Sequence, residues 1–154
     1  MAAISTLNVK SPFGQLCLTE MDGAIIALDW NGTHTPSTNP LLEEAAQQLT
    51  AYFKGSLKNF ELPLKPKGDQ FQQSVCKAML AIPYGETTTY GEIAKSLNSY
   101  GQPVGNACGA NTIPIIIPCH RVLSANGLGG YSGQGGVERK IDLLKLEGGF
   151  PYLL

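Results

Sequence analysis

The stretch LPLKPKGD, Leu62 to Asp69, cuts the chain in two, because Pro63, Pro66 and Gly68 break any regular element between the apolar segments on either side. A chain of 154 residues is long enough for one good core or for two small lobes, and the linker favours two, residues 1–66 and 67–154. Ahead of the linker, NVKSPFGQLCLTE and AIIALDW alternate apolar and polar residues around the turn signal MDG, which predicts a hairpin or small sheet through about Trp30. Asn39 and Pro40 then read as an N-cap and first helical residue. The helix they open runs to about Lys54, carries one stripe through Leu41, Leu42, Ala45, Ala46, Leu49, Tyr52 and Phe53, and stops at Gly55.

Past the linker the signals are helical. Asp69 with Gln72 resembles a capping box, followed at helical spacing by Phe71, Val75, Ala78 and Met79 until IPYG ends the element. Thr89 with Glu92 is a second box, opening a short helix through Ile93, Ala94 and Leu97. The segment VERKIDLLKLEG reads as an amphipathic helix around Val137, Ile141, Leu144 and Lys145, ending at Gly148. No internal repeat interrupts this order.

Lys+Arg 11 against Asp+Glu 12 leaves a net charge of -1, so nucleic-acid binding, if present, has to be local and modest. Cys17, Cys76, Cys108 and Cys119 form no CxxC pair, and MAAISTLNVK lacks the apolar core of a signal peptide, so a reducing, cytoplasmic setting is expected, at the nucleoid in a prokaryote. No apolar run suits a membrane span. Cys17 and His34 are two conceivable zinc ligands without a further pair, so no metal site is expected.

The segment IPIIIPCHRVLSANG, Ile113 to Gly127, places a cysteine, a histidine and an arginine directly after an apolar run closed by Pro118. The prolines predict a buried, extended segment that gives out at Cys119. A cysteine is a strong nucleophile only as a thiolate, favoured by a nearby cation, base or helical N–H group, and His120 and Arg121 are candidates. Neighbours on a strand point to opposite faces, so Cys119 and His120 can cooperate only through a turn or a bridging water. A buried cysteine is otherwise a small hydrophobe. The loop ANGLGGYSGQGG a few residues on lets backbone approach a ligand closely, with Tyr131 and Ser132 able to stack and hydrogen-bond.

FQQSVCKAMLAIPYGETTTYGEIAK, VGNACGAN, IPIIIPCHRV, GGYSGQGGVERK and LLKLEG, in this order, resemble the catalytic domain of the methylated-DNA-protein-cysteine methyltransferases, which repair guanine alkylated on its exocyclic oxygen. The likeness is close from Phe71 to Gly148; the N-terminal lobe is similar only in its general pattern. It implies an α/β (α+β) fold, with a small sheet-and-helix lobe joined to a mainly helical, winged helix-like DNA-binding catalytic domain. It further implies that Cys119 accepts the alkyl group, that His120 deprotonates it through a water, and that Glu147 orients the histidine. By the same resemblance Asn111 helps hold the turn at the active cysteine, Tyr90 crowds the target phosphate and helps rotate the nucleotide out, and Tyr131 and Ser132 hold the extruded base. The damaged base is itself the alkyl donor, so no cofactor is implied, and the expected partner is double-stranded DNA containing alkylated guanine, met by a monomer.

Two positions depart from that family: Cys76, where it often carries a bulky aromatic, and Gln102. Where it carries an arginine that enters the base stack, this chain has Gln102, followed by Pro103, which fits only a helix's first turn. The recognition helix should therefore begin near Tyr100 or Gly101, with small residues such as Gly105 and Ala107 allowing close approach to DNA. Lys95, Arg121 and Arg139 are the basic residues nearest the site in sequence, Arg121 being either a DNA contact or a structural anchor. Cys17, Cys76 and Cys108 read as core, with Cys108 next to the DNA-facing segment. Three other functions compete. A non-repairing binder of alkylated DNA would lack a nucleophile at Cys119, a cysteine hydrolase would turn over, and a structural DNA-binding module would leave Cys119 inert.

Overall fold

A computed structural model describes residues 3–30, 39–131 and 136–148. The chain divides into two compact units, Met1–Pro66 and Lys67–Leu154. In the first, β1 (Ile4–Ser11), β2 (Gly14–Met21) and β3 (Ala24–Trp30) form an antiparallel sheet in the order β1-β2-β3. The MDG turn works because Asp22 and Gly23 both adopt positive φ, 53° and 81°, matching the twist of a two-residue hairpin. Helix α1 (Pro40–Phe53) packs on β1 and β2, with Asn39 accepting from the Leu42 N–H as its N-cap. It buries Leu42, Ala45, Leu49 and Tyr52, in a unit whose sheet buries Leu16, Leu18 and Leu28. The linker is not wholly free, since Ile25 N–H donates to Pro63 O (2.9 Å) and Lys65 N–H to Ile25 O (2.8 Å), adding a short parallel bridge beside β3.

The second unit holds α2 (Gln70–Leu80), β4 (Thr88–Thr89), α3 (Tyr90–Ser96), α4 (Gly101–Gly109), a 3-10 turn at Cys119–Arg121, β5 (Val122–Leu123) and α5 (Gly136–Leu146). Asp69 and Thr89 cap α2 and α3 by accepting from the backbone of Gln72 and Glu92. The Asp69 box closes on one side only: the Gln72 amide donates to Ala107 O (2.7 Å) and so ties α2 to α4. Helix α4 has Tyr100 as N-cap, which puts Pro103 in its first turn, as the sequence required. The two-residue strands β4 and β5 pair in parallel, Thr88 with Val122 and Thr89 with Leu123, and so bring the start of α3 to the residues just after the PCHR motif.

Two expectations need correction. The run Ile113–Pro118 is buried but not extended: Ile117 N–H returns to Ile113 O (2.9 Å), Ile116 N–H to Pro114 O (2.9 Å), and Ile115 has φ 73°. Two prolines remove donors from any strand ladder, and the Asn111 side chain replaces that ladder by accepting from Ile113 N–H and donating to Ile117 O, both at 2.9 Å. A β-branched residue at positive φ costs about 1–3 kcal/mol, strain stored four positions before Cys119. The stripe of α5 is also rotated from the expected one. Val137 is 40% exposed, and the buried residues are Lys140, Leu143 and Leu144, followed beyond the helix by Glu147.

Candidate active site

The 3-10 turn answers how adjacent residues can share one site. It removes Cys119, His120 and Arg121 together from solvent, and all three are buried. Glu147, the first residue after α5, meets two of them: its Oε2 lies 2.7 Å from His120 Nε2, Arg121 Nε donates to Oε1 at 2.8 Å, and Arg121 Nη2 donates to Oε2 at 3.1 Å. Arg121 Nη1 donates to Ile82 O (2.7 Å), and the guanidinium lies 5.7 Å from the Tyr84 ring centre.

Burial by itself would raise the Glu147 carboxyl, but hydrogen bonds from His120 and Arg121 and the charge of Arg121 hold it down to about 2. An ionised carboxylate can only accept, so His120 Nε2 carries a proton and donates it. Burial pushes His120 below its usual range more strongly than Glu147 raises it, so the imidazole is neutral. A neutral ring protonated on Nε2 leaves Nδ1 as a base. Among the described residues no protein group bonds Nδ1, so it can take a proton through a water. Burial pushes the Cys119 thiol up, opposed by the Asn111 amide and the Lys140 charge. At neutral pH the cysteine is therefore a thiol, to be ionised during reaction.

Cys119 opens into a cavity of about 470 Å³, a size suited to a small organic ring system. Gly105, Cys108 and Gly109 of α4 form one wall, Tyr90 at the start of α3 a second, and Gly130 with Tyr131 a third. Gly129 lets the third wall approach Tyr90: at φ +72°, a Cβ there would lie 2.9 Å from Tyr90 Cε2 and 3.3 Å from Ser124 N. Replacing Gly129 with Ala is expected to cost about 1–3 kcal/mol and to push Tyr90 out of the cavity wall. Urea unfolding together with the rate of Cys119 alkylation checks this; an alanine variant equal to wild type in both would refute the close approach.

Residues 70–149 match the family model described as the DNA binding domain of 6-O-methylguanine DNA methyltransferase, and residues 6–66 the one described as its ribonuclease-like domain. The chain belongs to the 6-O-methylguanine DNA methyltransferase family. It is 54% identical over 108 residues, 68% of each chain, to the methylated-DNA-protein-cysteine methyltransferase of Methanosarcina acetivorans. With the protein of that name from Mycobacterium tuberculosis it shares 43% identity over 150 residues, 91% of this chain and 90% of the relative. The crystal structure of the M. tuberculosis O6-methylguanine methyltransferase matches the fold with a TM-score of 0.83 at 39% identity, over 96% of this chain and 94% of that one. The M. tuberculosis OGT in complex with DNA matches at 0.83 and 42%, over 93% and 92%.

Within this family member the site residues singled out by sequence do not all come together. Cys119, His120, Glu147 and Asn111 come together at the turn, and Tyr90, Gly105 and Tyr131 line the cavity beside it. Gln102 is exposed on the first turn of α4, outside the cavity lining, and Ala107 is 5% exposed, its carbonyl engaged by Gln72. Arg121, one candidate for a DNA contact, has its fork committed to Glu147 and Ile82 and is a structural anchor. Ser132 and His34 lie outside the described residues. Sequence reasoning passed over Lys140, which is fully buried behind the cavity, and named Tyr100, which is 79% exposed, only as the start of α4. An exposed aromatic beside Gln102 was legible as a feature. The lysine was not, since nothing in VERKID marks which cation turns inward.

Proposed function

We propose that this chain repairs DNA by moving the alkyl group from the exocyclic oxygen of an alkylated guanine onto Cys119, irreversibly and once per molecule. The carrying observation is a buried thiol that lines a cavity, next in the chain to a histidine whose Nε2 is held by Glu147 and whose Nδ1 bonds no group among the described residues. A saturated carbon needs in-line attack that a stacked base cannot offer, so the nucleotide is flipped into the cavity. The thiol proton passes to His120 Nδ1 through a water, and Glu147 stabilises the imidazolium. The sulfur lone pair forms the S–C bond as the C–O bond breaks, and its electron pair stays on the guanine. The phenols of Tyr90 and Tyr131, which line the cavity, are the hydroxyl donors there for the charge that develops. The product is a thioether, so the acceptor is spent. Lys67–Leu154 carries this chemistry and residues 1–66 form an appended lobe. A lasting free thiol suits a reducing, cytoplasmic compartment. Among the described residues no helix is long and apolar enough to cross a membrane.

Intact-mass measurement after mixing with a duplex holding one O6-methylguanine is the test: one methyl group per protein, located on Cys119. More than one demethylated guanine per protein molecule would point to a hydrolase, and label elsewhere would unseat Cys119.

DNA binding by the start of α4 carries its own prediction. Gln102 and Tyr100 are both exposed there, and a neutral glutamine is a weaker wedge than an arginine for holding the flipped state open. Gln102→Arg is therefore expected to speed transfer from duplex DNA about tenfold, roughly 1–2 kcal/mol, and to leave transfer from free O6-methylguanine unchanged. Gln102→Arg with Pro103→Ala controls for the rigid ring. If neither variant alters the duplex rate, the segment Tyr100–Ala110 is not the element that enters the DNA.

A further inference from the structure

A second thiol shares the cavity with the nucleophile. Cys108 of α4 and Cys119 of the turn are both free cysteines, both buried, and both line it. Asn111 ties their backbones together: its N–H donates to Cys108 O (3.3 Å), its side-chain amide donates to Ile117 O (2.9 Å), and that same carbonyl accepts from the Cys119 N–H (2.8 Å). The Asn111 side chain also hydrogen-bonds the Cys119 sulfur. A buried cysteine elsewhere in the chain is a small hydrophobe, and Cys17 in the sheet of the first unit needs no other account. Cys108 differs because its sulfur faces the space that a reagent must enter to reach Cys119, and alkyl transfer has no task for it.

The two thiols are chemically unequal. Cys119 is followed by His120, whose Nδ1 bonds no group among the described residues and can take the thiol proton through a water. Burial, and after it the charge of a Cys119 thiolate, push Cys108 up to about 12. Once the Cys119 sulfur carries no charge, the second of these causes is gone and Cys108 ionises more readily. Cys119 therefore reacts first with an electrophile in the cavity, and Cys108 second.

We propose that Cys108 and Cys119 are a redox pair, which a peroxide closes to a disulfide across the cavity and a thiol reductant reopens. The Cys119 thiolate attacks one peroxide oxygen, the O–O bond breaks, and hydroxide leaves as water with the proton that His120 took up, so the sulfur becomes a sulfenic acid. Cys108 then attacks that sulfur, the S–O bond breaks, and the hydroxyl group leaves as water with the Cys108 proton. Two thiols are oxidised to one disulfide while one peroxide is reduced to two waters. The pairing itself needs no alkyl transfer, and its consequence for repair rests on that reading of the site. A disulfide at Cys119 bars the alkyl group, and a thioether there bars the disulfide, so the two products exclude each other. Oxidation beyond the sulfenic acid is irreversible, and for an acceptor used once a disulfide that can be reopened prevents that loss. In a reducing compartment such a bond is transient.

The experiment treats the reduced protein with excess hydrogen peroxide and reads the intact mass, the peptides joined, and methyl transfer from duplex O6-methylguanine before and after dithiothreitol. Wild type should lose two hydrogen atoms, join the Cys108 peptide to the Cys119 peptide, lose transfer, and recover it with dithiothreitol. Cys108→Ser should instead gain oxygen on Cys119 and lose transfer that dithiothreitol does not restore, judged against its own untreated rate. Cys76→Ala removes the thiol of α2 that lies within electrostatic reach of both, and should respond to peroxide as wild type does. A wild-type protein in which peroxide joins no cysteines, or joins Cys76 to either of the pair, overturns the proposal whether or not the variants fold. So does a folded Cys108→Ser protein that recovers with dithiothreitol as fully as wild type. An untreated wild type that takes no methyl group from DNA sinks the alkyl-transfer reading instead, and the mass and the joined peptides then decide on the pair separately.

Discussion

Cys119→Ala is expected to abolish methyl transfer altogether while changing affinity for a duplex containing one O6-methylguanine by no more than about threefold. The thiol is neutral at rest, because burial pushes its ionisation up, so the bound base gains no charge interaction from it in the ground state. What the sulfur contributes is the bond that forms in the transition state, and no other group at the cavity floor can form it. Alanine leaves a gap of about one sulfur atom, which costs on the order of 1 kcal/mol in a core and does not threaten the fold. Titration of labelled duplex measures the binding, and intact mass measures the transfer. Cys108 is the internal control that matters most, since it lines the same cavity as Cys119 but has its thiol held near 12, beyond use at neutral pH. Cys17→Ala, Cys76→Ala and Cys108→Ala should each transfer at close to the wild-type rate. Residual methylation of Cys119→Ala, carried by Cys108, would show that the cavity selects a thiol by proximity and that the turn does little to activate Cys119.

The elements that sequence could locate are those whose boundaries are made by neighbours in the chain. Asn39, Asp69 and Thr89 each accept a hydrogen bond from the residue three places on, so the starts of α1, α2 and α3 follow from local chemistry. The start of α4 followed from Pro103 alone, which has no place beyond a first turn. What escaped depends on partners far away in sequence. Two prolines around an isoleucine run read as an extended segment, and the Asn111 amide, bonding six residues ahead, folds it into turns. Ile25 collects the linker from nearly forty residues away, so a stretch with every mark of a free connection is partly tied down. In α5 the apolar pattern fits two rotations about equally, and the choice is made by carbonyls at Val122, Leu128 and Gly130 that draw Lys140 inward. The cysteine, histidine and glutamate of the site were named through resemblance. Their working geometry, with a neutral histidine and a committed arginine, comes from burial that no local pattern encodes.

Glu147→Gln is expected to slow transfer by about a hundredfold to ten-thousandfold, and to destabilise the protein by about 3 kcal/mol at pH 7. The kinetic loss follows from the tautomer. The carboxylate accepts from His120 Nε2 and from Arg121 on both of its oxygens. A carboxamide has one oxygen, and Arg121, which has donors only, claims it. The amide nitrogen is left facing His120 Nε2, which must then accept, and the ring proton moves to Nδ1, the atom that should receive the thiol proton. The stability loss has a pH signature with a definite sign. Glu147 ionises near 2 in the folded protein against an ordinary 4.5, so its contribution is complete above pH 4.5 and is lost as pH falls toward 2. That separation corresponds to about 3 kcal/mol. His120, held below its ordinary 6.5 by burial, adds a slope of the same sign: its neutral form is favoured in the fold, and stability drops as pH falls below 6.5. Urea unfolding from pH 7 down to pH 3 separates the two. Wild type should lose stability in both windows, and the glutamine variant only in the upper one, starting from a lower value at pH 7. If the variant unfolds with the wild-type profile and transfers methyl groups at the wild-type rate, Glu147 is a helix-end carboxylate without a part in the chemistry, and the assignment of His120 as an oriented base goes with it.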